Sequence, residues 1–173
     1  MWSLKKTHQV GELIAAVAVV ISLVFVGYEV QQNSVAQSQS ATEAVVRDFV
    51  GAIRSLSTNA EMACIYASGV QDFGSLSGSE RLRLSAYLLG VYYAIQEMHG
   101  LAKRGAIDPG TWRGFDRLSQ ENMVLPGVRQ WFATRRHWFS DDFQLYLEEL
   151  MLKPSPVNPV IYDDPACSRN DGS

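Results

Sequence analysis

Cysteine is almost missing from this chain: Cys64 and Cys167 are the only two in 173 residues. The two lie far apart in the chain, so there is no Cys-x-x-Cys pair. Histidine is nearly as scarce, with His8, His99 and His137 showing neither HExxH nor any other paired spacing, so no metal site is expected. Glu97 and His99 stand two apart on a helix and point in different directions, which makes them poor partners. There is no GxSxG and no Gly-rich phosphate loop, and the adjoining acids read as a helix start (Asp141, Asp142) and a solvated turn (Asp163, Asp164). No catalytic residue and no cofactor is assigned on these grounds. Basic charge is also lacking: a formal net charge of -3 leaves no cationic stripe, and a nucleic-acid partner is not expected.

What the chain does have is a long apolar run. From Leu13 to Tyr28 sixteen residues pass without a charge. Extended over residues 10–30, a helix at 1.5 Å per residue reaches the length needed to cross a hydrocarbon layer of ~30 Å. A cleavable signal shares the basic start, Lys5 and Lys6, but places a small-x-small site close behind a shorter apolar core. Here the nearest small pair, Ser34 and Ala36, lies several polar residues beyond, which favours a retained single-pass anchor with the lipid bilayer as its first partner. Lys5 and Lys6 precede the span and no Lys or Arg follows Tyr28 until Arg47, an asymmetry that puts residues 1–9 in the cytoplasm and the rest outside the inner membrane. At 100° per residue Gly11, Ala15, Ala18, Ser22 and Glu29 share one face. Either this is chance beside an interfacial acid, or it lets another transmembrane helix approach closely.

Beyond a juxtamembrane segment, 31–40, the expected fold is all-α: a bundle of about four to five helices over residues 41–153, followed by an extended tail, 154–173. Val45, Val46, Phe49, Val50, Ile53 and Leu56 recur at helical spacing. Ser40 and Glu43 have capping-box spacing, marking either a helix start or a polar joint in one longer helix. Ser77 and Glu80 repeat that spacing before a run that is apolar on more than one face, the candidate central helix. Gly105 ends it, Asp108 and Pro109 open the next, and Pro126 with Gly127 precedes a short helix through "VRQWFATRRHWF". Ser140, Asp141 and Asp142 start the last, and Pro154, Pro156 and Pro159 follow it.

"GELIAAVAVVISLVFVGYEVQQN", then "GAIDPGTW", then "QWFATRRHWFSDDFQLYLEEL" together resemble a widespread group of uncharacterised bacterial single-pass membrane proteins. The resemblance implies an anchor with a helical domain and no catalysis. Members often carry a basic residue just after the span, where this chain has Gln31 and Gln32.

Two further features are candidates for function. Trp131 and Trp138 are seven apart on one expected helical face, with Arg135 within reach of the Trp131 ring, so they make either a ligand-gripping face or rings that pin the last helices. Cys64, expected near the end of the first helix after the anchor, and Cys167, in the tail, form a disulfide if the compartment is oxidising and stay reduced otherwise. The overall expectation is an interaction protein, either a homo-oligomer or an accessory subunit of a membrane complex. The alternative is an extracytoplasmic enzyme or small-ligand sensor, which needs a polar-lined pocket within the bundle.

Overall fold

The computed structural model describes residues 2–153 and Cys167, with the side chains of residues 1–14 and 16 left aside. It is all-helical: α1 Trp2–Thr58, α2 Ala60–Gln71, α3 Gly78–Lys103, α4 Pro109–Asn122, α5 Pro126–Arg135 and α6 Asp141–Leu152, with single 3-10 turns at Phe73–Ser75 and Arg136–Trp138. The chain divides into two compact units, Met1–Ser40 and Ala41–Ser173. Ser40 and Glu43 lie inside α1, so their spacing marks no helix start. Apart from Cys167, the tail expected to be extended lies outside the described residues.

In the first unit the described side chains are almost all exposed. Leu23, Val24, Phe25 and Val26, four successive residues that sweep about 300° around a helix, are 67%, 69%, 60% and 53% exposed. Among the described residues no helix is long and apolar enough to cross a membrane. The uncharged run begins at Leu13, among residues whose side chains are left aside.

In the second unit, local chemistry sets each helix end. Asn59 breaks the chain after α1 and caps α2, its side chain accepting from the Met62 amide at 3.0 Å. This separate helix was not anticipated. Cys64 therefore sits in a helix of its own, not at the end of α1. Ser77 and Glu80 form the full capping box of α3. Gly105, at φ 64°, turns the chain left-handed after α3, and the Ala106 amide returns to the Leu101 carbonyl at 2.9 Å, a closure that glycine makes without steric cost. Asp108 caps α4 through the Thr111 amide at 2.8 Å, and this hydrogen bond holds its carboxyl below the usual range. Ser140 caps α6.

α3 is the central helix, burying Leu84, Leu88, Val91, Tyr92, Ile95, Met98 and Leu101 against its neighbours. Phe49, Ala52 and Leu56 of α1 pack on the same core from outside. α2 and α5 cross with almost no gap, since a Cβ on Gly127 would fall on the Gly69 carbonyl oxygen and 2.8 Å from the carbonyl carbon of Val70. Arg129 ties α5 to both ends of its surroundings, donating from Nε to the Met123 carbonyl at 2.5 Å and from Nη2 to Met151 at 3.2 Å.

Candidate interaction sites

The small-residue face of α1 is described from Ala15 onward, and Gly11 lies among the side chains left aside. Ala15, Ala18, Ser22 and Glu29 are all exposed. The Ser22 hydroxyl donates to the Ala18 carbonyl at 2.9 Å. Its polarity is thus met inside the helix, the condition under which a serine enters an apolar medium at little cost.

The aromatic segment differs from its sequence expectation. α5 stops at Arg135 and the chain tightens into a 3-10 turn, Arg136–Trp138, so Trp131 and Trp138 do not share a helical face. Trp131 is fully buried, tilted on Tyr92 at 5.4 Å, and its Nε1 donates to Ser85 Oγ at 2.9 Å. It pins α5 to α3. Trp138 instead remains 43% exposed, and the Arg135 guanidinium lies over the Trp138 ring at 5.0 Å, not over Trp131. Tyr93, 41% exposed, donates from its hydroxyl to the Trp138 carbonyl at 3.3 Å.

Cys64 and Cys167 are joined in a disulfide, with Cα atoms 5.0 Å apart across a sequence separation of 103. The bridge fixes a point of the chain beyond α6 onto α2. It also removes conformational freedom from the unfolded chain, by an amount that grows slowly with the length of the loop it closes.

A cluster that sequence reading passed over gathers between α3, α4 and α6. His99 stacks on Tyr146 with centroids 4.7 Å apart, and Trp112 and Phe143 flank it at 5.6 and 5.8 Å. Burial among these rings lowers the His99 pKa; Asp142, with Oδ2 3.6 Å from Nδ1, pulls the other way, and Lys103 adds to the lowering. Lys103 Nζ bonds Asp142 Oδ1 at 2.5 Å and holds that carboxyl below its usual range. Tyr146 donates to Asp116 Oδ1 at 2.8 Å, and burial pushes its phenol far up. The only local signal was the four-residue spacing of His99 and Lys103, since Asp142 and Tyr146 arrive from another helix. Among the described residues no three His, Cys, Asp or Glu gather as a metal site.

Two open grooves mark the second unit. One, of about 550 Å³, lies where α1, α2 and α3 meet, floored by Ala52, Ala86 and Gly90 and walled by Met62, Tyr87 and Arg83, the last paired with Glu61 at 2.6 Å. The other, of about 580 Å³, runs along Val46, Val50, Arg47 and Arg54 of α1 beside Thr111. Both have mainly apolar linings, and Glu43 stands with Arg47 and Arg54 along the second. No known protein family, curated protein or solved structure matches this chain.

Proposed function

We propose that this chain is a membrane-anchored helical interaction protein, acting as an accessory subunit of a membrane complex or as a homo-oligomer. Residues 10–30 of α1 cross the inner membrane of a bacterium, with the N-terminus in the cytoplasm. The observation that carries the reading is the uncharged stretch Leu13–Tyr28, whose large apolar side chains from Val17 onward are exposed on every side of the helix. Water is a poor solvent for such a cylinder and lipid a good one. The Ser22 hydroxyl, satisfied within the helix, fits the same medium. The Cys64–Cys167 bridge supports an oxidising location for the second unit, and Lys5 and Lys6 support the same orientation. The shared face of Gly11, Ala15, Ala18, Ser22 and Glu29 supports contact with another transmembrane helix.

The test is extraction and association of the full-length protein. Isolated membranes washed with alkaline carbonate should retain it with its N-terminus intact, and a reporter fused after Ser173 should be active only outside the cytoplasm. In mild detergent it should leave the membrane in a defined complex. Ala15→Leu with Ala18→Leu should weaken that complex, and Ala16→Leu with Val20→Leu, on other faces, should not. Release by carbonate, or a mature protein beginning near Gln37, overturns the anchor; equal behaviour of the two double variants overturns the small-residue contact.

A further inference from the structure

Arg135 is an under-used cation. Its neighbour Arg136 reaches Glu148 at 2.7 Å, but no carboxylate pairs with Arg135 among the described residues. Of its donors, only Nη1 has an acceptor, the Thr134 carbonyl at 3.3 Å, and Nε is buried with none. A guanidinium presents five N–H donors in a planar fork suited to a carboxylate, and here Nε is buried without an acceptor while the terminal nitrogens, apart from the one bond of Nη1, are left for an incoming acceptor. Water is kept out on one side by Trp138, over whose ring the guanidinium lies. Trp138 and Tyr93 add two large, half-exposed rings, and the bond from the Tyr93 hydroxyl to the Trp138 carbonyl holds them together. Arginine, tryptophan and tyrosine are the residues that dominate the energetics of protein interfaces, acting from well-packed positions that are already ordered before binding.

We infer that Arg135, Trp138 and Tyr93 form a docking point for a different polypeptide, one that presents a carboxylate next to an apolar side chain. The inference rests on the interaction function proposed above and names the surface that serves it. Charge complementarity selects the occupant: the carboxylate takes the free edge of the Arg135 fork while the apolar neighbour covers the two rings. A second copy of this protein fits less well, because a two-fold interface centred on this patch sets Arg135 against its own equivalent.

The test places a photo-cross-linking residue at His137, exposed beside Trp138, in the full-length protein, irradiates native membranes and maps the linked peptide by mass spectrometry. It should belong to another protein and carry Asp, Glu or a free C-terminal carboxylate beside an apolar residue. Arg135→Gln and Trp138→Ala should each cut the yield by about tenfold or more, the scale of one charge-assisted hydrogen bond or one buried ring. Arg135→Lys should fall between, and Arg113→Gln, at an exposed position of α4, should leave the yield unchanged. Unaltered thermal unfolding of each variant checks that the fold is intact. Linkage to a peptide without a carboxylate, linkage into this protein's own residues, or a yield indifferent to Arg135→Gln overturns the docking point. A cross-link yield indifferent to Arg135→Gln, in a complex that still weakens on Ala15→Leu with Ala18→Leu, sinks this inference and leaves the interaction function standing; the absence of any complex sinks both.

Discussion

Two stretches of this molecule, residues 17–30 and residues 84–98, are both rich in large apolar side chains and both helical, yet they end in opposite surroundings. In α3 Leu84, Leu88, Tyr92, Ile95 and Met98 are buried to 2% exposure or less, while in α1 Val17, Leu23, Phe25 and Val30 stand 51% to 67% exposed. Hydrophobicity alone does not decide burial; neighbours do. α3 is surrounded by α2, α4, α5 and α6, whereas the first unit, taken by itself, is a single stretch of α1. Their serines repeat the contrast: Ser85 accepts from Trp131 of another helix at 2.9 Å, whereas Ser22 donates to its own helix at Ala18. One segment finds its apolar environment within the protein, and on our reading the other finds it in lipid.

The contrast is broken most sharply at Trp131. Trp131→Ala removes the largest fully buried side chain of the bundle and leaves the Ser85 hydroxyl without its donor. The loss should be about 3–5 kcal/mol. Leu23→Ala in the first unit should leave the same unfolding transition in place. Denaturant titration of the detergent-extracted full-length protein, followed by near-UV circular dichroism, measures both; similar losses would mean that the two units share one cooperative fold.

A smaller effect of either sign separates two glycines within the bundle. At Gly127 a methyl group meets the backbone of α2, which has no room to retreat, so Gly127→Ala should destabilise by about 1–3 kcal/mol. At Gly114, mid-helix in α4, a Cβ finds nothing within 4 Å, and Gly114→Ala should stabilise by about 0.5–1 kcal/mol through the helix backbone. Thermal midpoints that move in the same direction would disprove the close crossing of α2 and α5.

These differences also show which parts of the fold sequence could disclose. Helix ends at Ser77, Asp108, Pro109, Gly105 and Ser140 were legible because each depends on a cap or turn formed within a few residues. The break at Asn59 was missed although its signal is local: three polar residues, Ser57, Thr58 and Asn59, precede a new apolar pattern. The face shared by Trp131 and Trp138 was an illusion of spacing, since seven residues give one face only while the helix lasts, and α5 ends between them. The His99 cluster was out of reach for a different reason. Its partners come from three helices, and no periodicity along the sequence announces a meeting in space.

That cluster provides the smallest and most specific prediction. His99 titrates from an ordinary value of 6.5 that burial lowers in the folded state. The unfolded protein therefore takes up the proton more readily, so stability should be fully present above about pH 6.5 and should decline as pH falls through 6.5 toward the folded value. The groups facing His99 act in both directions: Asp142 and Asp116 favour its cation, and Lys103 opposes it. Asp142 and Asp108, whose carboxyls are held below their ordinary 3.8, begin to lose their contributions in more acid solution than that in which the His99 decline begins. Thermal midpoints recorded from pH 8 to pH 5 should fall, and His99→Gln should flatten that slope while preserving a polar side chain among Trp112, Phe143 and Tyr146. An unchanged slope in the variant would show that His99 titrates alike in the folded and unfolded protein, and a midpoint that rises on acidification through this range would show that its contact with Asp142 outweighs its burial.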